Sequence, residues 1–159
     1  MEIATLRLNI FADYFQFLVM DENCEDDLST LWTEEAVRRM LAVGRCVIAL
    51  GTLRNVDVAV EVHVLVDPPR IDLSRFDHAA SGSLDVPSGC LAVMACTGYL
   101  PNAPRIKLSP GTYQVLSLAS GVGTMKNEWE PANDLYTVYL WRGEQREPEL
   151  LKHWRDNGN

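Results

Sequence analysis

Apolar and polar side chains alternate along most of this chain. Near the start, Leu6, Leu8 and Ile10 are set against Arg7 and Asn9. Phe15, Phe17 and Val19 then stand against Tyr14, Gln16 and Leu18, with Ala12-Asp13 between the two runs. Period two places alternate residues on one face of an extended chain, so this opening predicts two strands, or one strand broken by a bulge. The pattern is clearest at 56–66, where Val56, Val58, Val60, Val62, Val64 and Val66 fall at every second position until Asp67-Pro68-Pro69 stops the run. These valines predict a long central strand with its apolar side toward the core. Similar runs occur at 46–52, 82–86, 90–97, 106–108, 113–118 and 135–141, separated by Pro87-Ser88-Gly89, Pro101 to Pro104 and Pro110-Gly111. Arg54-Asn55, between 46–52 and 56–66, reads as a hairpin turn. Short strands at such intervals predict an all-β chain, an antiparallel β-sandwich of about eight strands.

One segment departs from this period. Thr33 is a good helix N-cap, Glu34 and Glu35 suit the first turn, and Ala36, Val37, Met40 and Leu41 form one stripe before Gly44. One inserted helix of about three turns is predicted over about 33–43. Gly121 to Asn133 reads as a long loop. Residues 144–159 read as a C-terminal tail or, around Leu150, Leu151 and Trp154, a short helix. Nothing divides the chain, and 159 residues suit a single domain spanning 1–159.

Composition narrows the class. With 47% hydrophobic and 23% charged residues the chain is of ordinary globular make-up, and no apolar run is long enough to cross a bilayer as a helix. The first residues carry no basic stretch followed by an apolar one, so a cytoplasmic protein is expected. Cys24, Cys46, Cys90 and Cys96 form no CxxC pair and have no histidine at a metal-ligand spacing. Four free thiols, no metal and no cofactor are the reading. The net charge of -8 is uneven: residues 1–85 hold 15 acidic against 7 basic side chains, and residues 86–159 hold 7 of each. A pI near 4.8 argues against direct nucleic-acid binding and favours a basic protein partner.

Candidate chemistry is sparse. His63, His78 and His153 follow no catalytic spacing, and GxSxG, HExxH, P-loop, GxGxxG and EF-hand patterns are missing. Asp21, Glu22, Glu25, Asp26 and Asp27 put five carboxylates in seven residues but lack the layout that converges ligands on calcium. They read as a solvated loop or, with Trp32 as anchor and Glu34 and Glu35 beside it, as a surface that steers and holds a basic protein. Arg54 and Asn55 are a second contact candidate, the alternative being that Arg54 pairs with Asp13 or Asp57. Of Tyr113, Tyr136, Tyr139 and Trp141, half should be core. An enzyme would need a constellation assembled from scattered Asp, His and Cys.

Four segments, in order, resemble the competence protein J family: Tyr14-Phe15-Gln16-Phe17, Trp32-Thr33-Glu34-Glu35-Ala36-Val37, Leu53-Arg54-Asn55 with the strand after it, and Ser109-Pro110-Gly111-Thr112-Tyr113-Gln114. With the closing strand Asp134 to Tyr139 they span roughly residues 10 to 141. The resemblance implies a cytoplasmic bacterial protein without catalysis or catalytic residues, which binds a nuclease of DNA uptake and blocks its substrate site. A longer middle region around 67–106 and the tail after 142 depart from the family and leave the partner open. A β-sandwich module that binds a small ligand or another target is the alternative.

Overall fold

The structure is a computed structural model describing residues 2–127 and 129–156. It is an all-β sandwich. In chain order the strands are β1 (Glu2–Phe11), β2 (Gln16–Asp21), β3 (Leu41–Val43), β4 (Val47–Gly51), β5 (Asp57–Leu65), β6 (His78–Val86), β7 (Cys90–Ala95), β8 (Arg105–Lys107), β9 (Gly111–Ser120), β10 (Leu135–Arg142) and β11 (Glu149–Lys152), with helix α1 (Glu34–Arg39) between β2 and β3. One sheet runs β1-β5-β10-β9-β6-β11 and the other β3-β4-β2-β7-β8. There are thus eleven described strands rather than about eight. The pairing is antiparallel except for β5 and β10, which run parallel.

The valine alternation is realised in β5. Val58, Val60, Val62 and Val64 are buried, while Val56 and Val66 lie beyond its ends, and Val66 is exposed. They face Phe17 and Val19 of β2, Ile48 and Leu50 of β4, and Leu91 and Val93 of β7 across one core. Burying each such side chain contributes about 1.5–3 kcal/mol. Outside this core, Leu116, Leu118 and Trp141 pack beneath Leu65, Ile71, Leu73 and Phe76. The outer side of the second sheet packs Leu18, Ala42, Val47 and Ala49 against Ala36, Leu28, Leu31 and Trp32.

Several sequence expectations are corrected. The helix is six residues, not three turns: Thr33 caps it as expected, through Oγ1 accepting from the Ala36 N–H, but Met40 ends it in the left-handed region and Leu41–Val43 is already β3. Arg54-Asn55 is no hairpin turn, because β4 and β5 belong to different sheets. The C-terminal tail or short helix expected within 144–159 contains instead β11, paired with β6 and followed by a short 3-10 turn. Cys24 and Cys46 are not free thiols: they form a disulfide across 22 positions, whereas Cys90 and Cys96 are free.

Candidate partner-binding site

A hollow of about 780 Å³ opens beside α1. Its walls come from the β1–β2 turn (Tyr14, Phe15), the start and exposed side of α1 (Trp32, Glu34, Val37), the residues after β4 (Thr52, Leu53) and the C-terminal His153-Trp154-Arg155. Tyr14, Phe15 and Val37 are exposed apolar side chains on this one concave surface. Tyr14, Phe15 and Met40, the described non-glycine residues with positive φ, at 57–58°, all line it. Strained backbone of this kind costs about 1–3 kcal/mol per residue and persists only where the surroundings hold it. Here the holding is visible. The Thr52 N–H donates to Phe15 O, the Gly51 N–H donates to Met40 O, and a Cβ on Gly51 would lie 3.3 Å from Met40 Cα and Cβ.

Supporting contacts fix the walls. The Trp32 Nε1–H donates to Gln16 Oε1 at 2.9 Å, which leaves the half-buried indole face on the hollow. Behind Leu53, Arg54 is buried and makes a bidentate pair with Asp134, Nε to Oδ2 at 3.1 Å and NH2 to Oδ1 at 2.6 Å, while its NH1 donates to Glu130 O. Tyr136 accepts from the Leu53 N–H and donates to Asp134 Oδ2, and burial raises its phenol far above the usual range. Arg54 thus sets the wall and offers no surface to a partner, and its carboxylate is Asp134 rather than Asp13 or Asp57. Asn55 is exposed.

Most of the acidic segment is occupied locally. Asp21 is buried and accepts from Ser88 N and Oγ and from Asn23 N. Asp26 Oδ2 accepts from the N–H groups of Arg45 and Cys46. Asp27 caps a 3-10 turn through Ser29, whose hydroxyl and N–H hold this carboxyl below its usual range. Glu22 pairs with Arg105 at 3.0 Å and is lowered by hydrogen bonding to Cys90 and Arg105. Glu25, Asp27, Glu34 and Glu35 are the exposed carboxylates of the set. The structure therefore joins Trp32 and Glu34 in the hollow, whereas Asp21, Glu25 and Asp26 line a separate polar depression of about 470 Å³ with Arg45 and Ser88. Tyr14, Val37 and Trp154 line the hollow but were not among the candidates singled out from the sequence. The readable signal was the adjacent pair Tyr14-Phe15 at a break in the alternation.

The histidines are placed structurally. His63 meets Glu2 at Nδ1 (2.6 Å) and Glu61 at Nε2 (2.9 Å), so both ring nitrogens are engaged. His78 spans Arg39 O and the Trp154 N–H. Tyr113, Tyr136 and Trp141 are core and Tyr139 half-buried. Among the described residues no helix is long and apolar enough to cross a membrane.

Two packed sheets with a short helix inserted after β2 define the class, an all-β sandwich whose open aromatic hollow lies beside that helix. Two solved structures share the fold. One is ComJ from Bacillus subtilis, inhibitor of the DNA-degrading activity of NucA, with a TM-score of 0.66 and 15% identity over 90% of this chain and 98% of that one. The other is crocagin biosynthetic gene J, with a TM-score of 0.60 and 17% identity over 89% of this chain and 97% of that one. At these identities the likeness is one of fold. No protein-family model and no curated protein matches the chain.

Proposed function

We propose that this protein is a non-catalytic binding protein of the nuclease-inhibitor kind, which engages a basic nuclease by protein contact at the mouth of the aromatic hollow. The observation that carries this reading is the fold shared with ComJ over nine-tenths of the chain, with an exposed aromatic surface and strained backbone gathered at one hollow. Tyr14, Phe15, Trp32 and Val37 supply the desolvating anchor, and Glu34 and Glu35 beside them steer a cationic surface toward it. Glu25 and Asp27 add to the field, while Asp21, Asp26 and Arg54 hold the scaffold. The family resemblance supports action in the cytoplasm. The Cys24–Cys46 bridge suits an oxidising compartment, and alkylation of thiols in intact cells decides between the two.

The test titrates the purified protein into plasmid degradation by NucA. Inhibition saturating at one protein per nuclease is expected. Tyr14→Ala should weaken inhibition at least tenfold with an unchanged thermal midpoint, whereas Glu34→Gln/Glu35→Gln should slow association and flatten its salt dependence. Undiminished degradation at a large excess of protein removes the nuclease reading. The size of the hollow favours one second reading, a small-molecule module, because about 780 Å³ lies within the ~300–1,000 Å³ of ligand sites. Calorimetry with aromatic small molecules, competed by NucA, separates the two.

A further inference from the structure

Independently of that reading, the four edge strands of the two sheets are unequal. β3 and β8 have 3 residues each, and β8 carries exposed Arg105 and Lys107. β11 has 4 residues with an irregular register. Short, charged or bulged edges are the usual guards against unwanted pairing. β1 is different: it has 10 residues, no proline or lysine, and a regular ladder with β5 from Ala4 to Phe11.

The orientation of its backbone groups follows from one bond. The Ala12 N–H donates to Val56 O in the same register, so the even-numbered residues of β1 exchange hydrogen bonds with β5. Thr5, Arg7, Asn9 and Phe11 therefore turn N–H and C=O toward the open side. On the inner face, Val60, Val62 and Val64 are fully buried, but Leu6 and Leu8 directly opposite them are only partly covered. A cleft of about 270 Å³ lies there, lined by Leu8, Ile10, Val93, Tyr99 and Pro104, with Phe11 and Tyr99 more than half exposed at its rim.

We propose that this edge pairs two copies of the chain, β1 antiparallel to β1, about a two-fold axis at Leu8. What completes the edge is an extended strand with leucine or isoleucine at alternate positions, and β1 is itself such a strand. The register follows from its residues. Centring on Arg7 sets two guanidinium groups opposite each other, which is destabilising. Centring on Leu6 runs the pairing into the irregularity between Glu2 and Ala4. Centring on Leu8 uses the regular stretch 5–11. It faces Leu8 with Leu8 and Leu6 with Ile10 of the second copy, covers the bare inner side chains, and sets Arg7 against Asn9 and Thr5 against Phe11. The assembly is closed, because each edge is consumed by the other.

Light scattering after gel filtration, at a concentration on the order of 100 μM where weak pairing still registers, should give twice the 17.8 kDa chain mass. Asn9→Pro removes an outward N–H without touching the β5 ladder, so it should return the mass to 17.8 kDa with the melting curve unchanged. Arg7→Pro serves as the second such variant. The double variant Arg7→Cys/Asn9→Cys places the two new sulfurs across a hydrogen-bonded pair, about 5.5 Å apart at Cα, and should form a covalent dimer on oxidation that wild type with Cys90 and Cys96 does not. A monomeric wild type overturns the proposal, as does a dimer that survives both proline variants. So does amide protection of Thr5, Arg7 and Asn9 that arises only on adding a nuclease, since the edge then belongs to that partner.

Discussion

Arg54 and Asp134 are 80 positions apart, and each is buried only because the other meets it with two hydrogen bonds. Removing one member leaves an unpaired charge in the interior, so Arg54→Ala should cost about 3–5 kcal/mol in urea unfolding. A loss of about 1 kcal/mol or less would mark the pair as solvated. Burial holds the His78 imidazole below its ordinary pKa, against the opposing hydrogen bond to Arg39 O, with His153 and Arg38 adding positive repulsion. The His78 ring meets that of His153 edge-on, with centroids 5.5 Å apart. Its Nε2–H donates to Arg39 O and its Nδ1 accepts from the Trp154 N–H, so the ring is used neutral. Because the folded pKa is depressed, the unfolded chain binds the proton more readily, and stability falls as pH drops below the ordinary imidazole value of 6.5. Protection of the Trp154 N–H, measured against its intrinsic exchange rate at each pH, should fall over that window, and His78→Ala should flatten the pH dependence. None of these partners was legible in the sequence, since 39 to 80 positions separate the groups and no local period encodes such a distance.

At the level of elements, period two was legible where it is clearest, in β5, because that alternation is imposed by the pleat. Pairing was not. The turn-like Arg54-Asn55 gives no sign that the chain changes sheets there. The stripe Ala36, Val37, Met40 and Leu41 fits a helix and fits a strand beginning at Leu41 equally well. Leu41 and Ala42 side with β4, where both are fully buried. The helix survives as a short cap over the second sheet, inside the segment closed by Cys24–Cys46. In the chain-entropy account, closing a loop of 22 residues stabilises by about 3 kcal/mol. Reduction, or Cys24→Ala/Cys46→Ala, should lower the thermal midpoint and speed amide exchange over 28–40 while leaving β5 and β10 protected. An unchanged exchange pattern would show that packing of Leu28, Leu31 and Trp32 holds this segment without the bridge.

For the molecule as a whole, the fold class was written in the alternation, and the candidate site only partly. Net charge was a poor guide to it. The acidic first half is real, yet Asp21, Asp26 and Asp27 spend their oxygens on neighbouring N–H and hydroxyl groups, which composition cannot reveal. The parallel contact of β5 with β10 has a consequence for chain growth. β5 is synthesised early and finds β1 already made, but its other neighbour begins only at Leu135. Until then the growing chain carries a valine-rich strand paired on one side and bare on the other. A nascent polypeptide halted before Leu135 therefore presents a ready template for β-aggregation, so the interval between Leu65 and Leu135 is when a translating ribosome most needs a chaperone at hand.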